Sequence, residues 1–131
     1  MSFCPCNSFR PFVSCCEPLI TGKQPAATAE ALMRSRFCAY VFKKPLYLKN
    51  TYAAKQRKKV HLRNIQKGML GVEWVDLQIT SILNGRAKDA TGEVEFIATY
   101  KTNEGTRQMT ERSFFIRENS LWRYVGPVQK K

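Results

Sequence analysis

Four of the chain's five cysteines fall within its first sixteen residues, at Cys4, Cys6, Cys15 and Cys16. The C-x-C-x8-C-C spacing supplies four thiolates, which saturate a tetrahedral structural zinc site, and zinc favours soft sulfur ligands. Pro5 stiffens a tight turn between the first two, and the eight residues Asn7 to Ser14 give enough chain to return the second pair to the same ion. A disulfide knot is the competing use of four cysteines. It needs an oxidising compartment, and a Cys4–Cys6 or Cys15–Cys16 bond would be strained. Four sulfur ligands leave no open coordination position, so the zinc would be structural rather than catalytic. Cys38 lies far along the sequence and reads as a small buried residue.

The second chemical feature is charge. The formal net charge is +12, and nine of the 22 basic residues lie in 43–67, a segment without Asp or Glu. Its densest part is Lys55, Arg57, Lys58 and Lys59, with Arg63 close behind. Concentrated positive charge attracts phosphate and releases counterions. Tyr47 and Tyr52 are interleaved and could stack on bases. A solvated helix surface is the bland alternative. The segment points to RNA, the ribosome, another protein or an anionic lipid surface as partner.

Acid–base groups are few. Glu93 and Glu95 share one face of a strand, Asp76 lies on another strand, and Glu111 on a third. His61 is the sole histidine and sits inside the basic run, where a surface role is expected. Glu30 and Arg34 are four apart on a helix and form an expected ion pair. Arg34 or Arg36 could instead project into a pocket and bind a carboxylate or phosphate. Glu95 and Glu111 complete that pocket set. No nucleophile motif, phosphate-binding glycine loop or second metal cluster accompanies them, which favours a binding module over an enzyme.

The elements that must position these groups follow from pattern. The chain has 131 residues, 44% apolar and 11% aromatic, enough for a core of its own. Residues 1–27 hold four Cys and four Pro and read as an irregular lobe. Thr28 is an expected N-cap. Ala29, Leu32, Met33, Phe37, Tyr40 and Val41 then mark one helical face, ending near Phe42 before Pro45. A second helical stretch covers 46–67 with a break near Asn50–Ala53. After Gly68 and Gly71 the period becomes two. Val75, Leu77, Ile79 and Leu83 alternate with polar neighbours over 72–83, and Val94, Phe96, Ala98 and Tyr100 do so over 93–101. Further strands are expected over 107–117 and 121–125. Short polar separators favour antiparallel hairpins. Helices followed by four strands indicate an α+β domain over 28–131. No apolar run approaches the ~18 residues of a membrane span. The start lacks a signal-peptide core, so a reducing, cytoplasmic location is expected.

Cys4-Pro5-Cys6 with Cys15-Cys16 resembles the SEC-C motif, a zinc-binding motif also found on the preprotein translocase motor SecA. The stretches TAEALMRSRFCAY (28–40), YLKNTY (47–52), GVEWVDLQI (71–79), VEFIATY (94–100) and ERSFFIRENSLWRYVG (111–126) resemble the YchJ family. That resemblance implies a SEC-C zinc knuckle joined to a nuclear transport factor 2-like domain, a cone in which N-terminal helices wrap a curved antiparallel sheet. Family members usually carry a Gly-Ser-Gly-Lys-like stretch where this sequence has Asn7-Ser8-Phe9-Arg10. The expected function is a non-enzymatic zinc protein that docks on a polyanion through its knuckle and basic segment. The alternative is a small-molecule binder or isomerase-like enzyme using the interior of the cone.

Overall fold

Thr28 opens the longest helix by capping it. Its side chain accepts a hydrogen bond from the Ala31 N–H at 3.0 Å, and helix α2 runs Ala29–Val41. Lys43 adopts a left-handed φ of 55°. Lys44 N–H then reaches back to the Ala39 carbonyl at 2.8 Å, closing the helix in a Schellman-type cap before Pro45. These residues belong to a computed structural model that describes residues 3–129. Before α2 lie a 3-10 turn at Phe12–Ser14 and the short helix α1 (Glu17–Ile20). After it come α3 (Pro45–Asn50), α4 (Ala54–Arg57) and α5 (Leu62–Gly68).

The sequence pattern places apolar residues on one face of α2, but the structure buries it nearly all round. Ser35, Arg36 and Cys38 are buried along with Leu32, Met33, Phe37 and Ala39. The helix lies between the sheet on one flank and the cysteine lobe and α3 on the other, and a helix packed on both flanks has no solvent face to mark in sequence.

The stretch 46–67 forms three short helices rather than one helix with a single break. Thr51 C=O accepts from Tyr124 N–H at 2.8 Å, and Ala53 N–H donates to Tyr124 C=O at 2.8 Å. Residues 51–53 are thus drawn out of the helix to pair with a strand edge, as the break near 50–53 anticipates. A second break at Val60–His61 was not expected: His61 is extended and starts α5.

Four strands follow: β1 (Glu73–Asn84), β2 (Thr91–Thr102), β3 (Gly105–Glu118) and β4 (Leu121–Pro127). They form one antiparallel meander in the order β1-β2-β3-β4. The β3–β4 turn carries Asn119 and Ser120 at φ 51° and 68°, the left-handed pair of a type I′ hairpin. β2 keeps the expected alternation, with Val94, Phe96 and Ala98 buried. β1 does not. Register shifts at Trp74/Asp76 and Ile79/Ser81 change its phase, so Trp74, Leu77 and Ile79 pack on the core while Val75 is 39% exposed and Leu83 faces outward. Such bulges bend a strand and increase its twist, and they curve the sheet around α2.

One glycine pair seats α2 against the sheet. A Cβ on Gly92 would lie 2.4 Å from the Gly85 Cα, and one on Gly85, at φ +77°, would lie 2.7 Å from the Ala29 Cβ. The β1–β2 end therefore closes directly on the first turn of α2, where Gly85 C=O accepts from Ala29 N–H at 2.9 Å. The main core joins Leu32, Phe37, Leu77, Val94, Phe96, Phe115 and Trp122 with the four N-terminal cysteines, and a smaller cluster gathers Ala39, Leu48 and Met69. Among the described residues no helix is long and apolar enough to cross a membrane.

Candidate functional site

Residues 3–16 fold as a knuckle. Cys4 N–H donates to Arg10 C=O at 2.7 Å and Asn7 N–H to Cys4 C=O at 3.1 Å. Asn7 and Phe9 take left-handed φ values of 69° and 65° to make the turn. The Asn7 amide donates to Leu77 C=O at 3.2 Å, tying the knuckle to the sheet. Cys15 and Cys16 enter from the end of the 3-10 turn and the N-cap of α1. All four cysteines are buried, and their Sγ atoms lie within 4.8 Å of one another. The Cys6–Cys15 and Cys15–Cys16 separations are 3.6 and 3.9 Å. Tetrahedral zinc with Zn–S bonds of about 2.3 Å sets sulfurs about 3.8 Å apart, so the donor set fits such an ion in chemistry and in spacing. No disulfide links these residues.

Crowding splits the thiols. Hydrogen bonding, first from Cys16, lowers Cys4 to about 6 and holds Cys6 far below the ordinary thiol range. The hydrogen bond with Cys38 leads the causes that push Cys16 up, and burial raises Cys15. Four packed sulfurs cannot all ionise side by side without a cation to neutralise them, which is the role a dication fills. Outer contacts favour charge on Cys15: Ser8 Oγ lies 3.1 Å from its sulfur and an Arg10 guanidinium nitrogen 3.6 Å.

Sequence spacing missed one member of this neighbourhood. Cys38 is buried as expected, but its sulfur lies 3.4 Å from that of Cys4. Its place on the lobe-facing flank of α2 brings it there, and no local motif announces it. Arg34 also serves the knuckle. It pairs with Glu30 at 2.9 Å and donates to the Cys6 carbonyl at 2.6 Å. It therefore joins the surface pair to the cysteine centre and does not enter the cone.

The cone encloses a cavity of about 210 Å³ between α2 and the sheet. Met33, Arg36, Phe37 and Tyr40 line it from α2 at i, i+3, i+4 and i+7, and each strand contributes at least one residue. Two of the four residues expected in a pocket, Arg36 and Glu111, meet there. Glu111 accepts from Ser113 Oγ and Tyr124 OH, both at 2.6 Å. Burial and then the Glu111 carboxylate push the Tyr124 hydroxyl well above its ordinary range. Glu95 lies on the opposite sheet face because it alternates with inward Phe96. There Thr80 Oγ1 donates to it at 3.3 Å, and Arg112 bonds its neighbour Glu93 at 2.6 Å. Asp76 and His61 are exposed.

In the basic segment Lys55, Lys58, Lys59 and Arg63 are exposed. Arg57 is half-buried and donates to the Tyr52 carbonyl at 2.9 Å. The ion pairs among the described residues involve Arg34, Arg86 and Arg112, none of them in this segment. Glu118 approaches it but accepts from the Ala54 N–H at 3.0 Å. Burial, and after it the nearby Arg57, lower the Arg123 guanidinium. Base stacking by Tyr47 and Tyr52 does not fit. Tyr47 OH lies 2.6 Å from Ser35 Oγ. The Tyr52 ring packs on Tyr124 with centroids 5.3 Å apart. Both rings are spent inside the protein.

Against known proteins, residues 28–127 match the family model described as the YchJ middle NTF2-like domain. A UPF0225 protein of Geobacter sulfurreducens is 34% identical over 124 residues, covering 95% of this chain and 77% of that protein. A UPF0225 protein of Actinobacillus succinogenes is likewise 34% identical, covering 95% and 80%. The solution structure of a SEC-C motif-containing protein from Rhodopseudomonas palustris superposes with a TM-score of 0.89 at 27% identity, over 99% of this chain and 100% of that one. The crystal structure of a SEC-C motif-containing protein from Psychrobacter arcticus gives 0.83 at 25% identity, over 100% and 84%.

Proposed function

This chain belongs to the YchJ family, and from that premise we propose that it is a zinc-bearing, non-enzymatic module that docks on the phosphate backbone of RNA. Cys4, Cys6, Cys15 and Cys16 hold the zinc and fix the lobe on α2. The residues that engage RNA are Lys55, Lys58, Lys59 and Arg63, with Arg57 behind them. The observation that carries this reading is the run of exposed cations with no acidic partner among the described residues. Unpaired surface cations gain most from a polyanion because binding releases its condensed counterions. The inward-turned tyrosines leave phosphate contacts without base contacts, so affinity should vary little with sequence.

The test is RNA binding by the zinc-loaded chain at about 50 mM salt, where screening is weak. With about three phosphates neutralised, log K should fall against log salt with a slope of about −2 to −3. The triple variant Lys55→Glu, Lys58→Glu, Lys59→Glu should lose binding while keeping zinc content and far-UV circular dichroism. Binding to anionic vesicles but not RNA would move the partner to a lipid surface. Binding to neither would return the segment to a solvated surface.

A further inference from the structure

Arg36 is the most deeply buried cation among the described residues, at 3% exposure. Its Nη1 donates to Leu48 C=O at 2.9 Å and Thr51 Oγ1 at 2.6 Å. No carboxylate among the described residues lies within ion-pairing distance of it. Its Nε and Nη2 have no hydrogen-bond partner among the described residues and are not fully buried, and Arg36 lines the cavity. The guanidinium carbon lies 4.2 Å from the Tyr124 ring centroid and 4.8 Å from that of Tyr52. Stacking on two rings offsets part of the cost of burying the charge, but it leaves the forked N–H edge unsatisfied. A carboxylate matches that edge in charge and geometry.

The other polar wall is Glu111. Its Oε2 is saturated by Ser113 and Tyr124, while its Oε1 has no partner among the described residues. That oxygen asks for a hydrogen-bond donor, and its charge disfavours a multiply charged anion such as phosphate in the same cavity. The remaining wall is aromatic. Trp74 stands 5.6 Å from Tyr40 and 6.4 Å from Phe37 between ring centroids. A cavity of about 150 Å³ holds benzene, so about 210 Å³ accommodates one ring with two small substituents.

We propose that the cone interior binds a monocyclic aryl carboxylate bearing a hydroxyl or amino group, its carboxylate seated on Arg36 and its donor on Glu111. This site shares no residue with the exposed cations Lys55, Lys58, Lys59 and Arg63, and it does not depend on RNA docking.

The test titrates the zinc-loaded full chain, in carboxylate-free buffer, with 2-, 3- and 4-hydroxybenzoate, benzoate and benzyl alcohol. Binding is followed by calorimetry and by tryptophan emission, which Trp74 should report. At least one hydroxybenzoate should bind saturably at one per chain. Benzyl alcohol should bind about tenfold more weakly or worse, since it lacks the charged hydrogen bond. Arg36→Lys keeps the charge but removes the fork, and should weaken the acid by a similar factor. Ala98→Leu fills the cavity without touching Arg36 or Glu111, and should abolish binding in a chain that keeps its zinc and its sheet. No saturable binding of any hydroxybenzoate at millimolar concentration would overturn the proposal. So would equal affinity for acid and alcohol, or undiminished binding in folded Ala98→Leu protein.

Discussion

The cysteine lobe and the cone share one core, yet they bury very different amounts of apolar side chain. Across residues 3–27 the four cysteines are the only buried side chains. The regular elements there are a three-residue 3-10 turn and a four-residue helix. So little apolar burial cannot offset the ordering entropy of the segment. The cone buries Leu77, Val94, Phe96, Phe115 and Trp122 beneath a 13-residue helix and four paired strands. On the proposed reading, zinc coordination takes over in the lobe the task that burial performs in the cone, and ligand spacing rather than hydrophobic period becomes the legible signal.

Metal removal should divide the two regions most sharply. Zinc coordination supplies on the order of 10 kcal/mol in small structural sites. A chelator, or the double variant Cys15→Ser, Cys16→Ser, should therefore remove amide-exchange protection from the lobe and leave β1–β4 protected. Equal loss in both regions would mean that the lobe and cone unfold as one unit.

Gly92→Ala should do the reverse. Its Cβ would strike the Gly85 backbone at 2.4 Å, and overpacking of this kind costs about 3 kcal/mol. Denaturant melts should show a weakened cone with zinc stoichiometry unchanged. Wild-type stability would show that the β1–β2 end has more room than the contact implies.

The two regions should also fail at opposite ends of the pH scale. Acid protonates the thiolates and should release the metal, loosening the lobe. Alkali acts on the cone. Burial raises Tyr40 and Tyr47, and burial together with Glu111 raises Tyr124. A raised folded pKa means stability is intact below the unfolded value of about 10 and falls as pH climbs beyond it, by about 1.4 kcal/mol per unit for each such tyrosine. Tyr124→Phe should flatten that alkaline slope in melts followed at several pH values, and an unchanged slope would remove Tyr124 from the account. Smallest is the cap: Thr28→Ala should cost about 1 kcal/mol and lower the cone's melting temperature without releasing zinc.

Much of this division was readable in the sequence because its signals are local. Cys4-x-Cys6 and Cys15-Cys16 mark the lobe, Thr28 and Pro45 bracket α2, and the alternation from Val94 to Ala98 marks an inner strand. The failures are non-local. The Val75 bulge turns Trp74 inward in place of Val75, and a second shift at Ile79/Ser81 turns Leu83 outward, both through pairing with β2, while Leu77 and Ile79 keep the expected face. The break around Tyr52 is legible, but the strand residue it meets through a parallel bridge, Tyr124, is not. The contact of Cys38 with Cys4, and those of Arg36 with Leu48 and Thr51, arise only where the lobe and α3 cover the second flank of α2, and no local pattern marks them. Arg34 and Glu95 were grouped with a pocket by residue type, whereas strand phase and helix rotation turn both away from it.

Zinc stoichiometry tests the central claim most directly. Protein purified without chelator under reducing conditions should contain about one zinc per chain by elemental analysis, and the Cys15→Ser, Cys16→Ser variant should contain none. A metal-free wild-type chain with an ordered lobe, or a double variant that keeps its full zinc, would contradict the account.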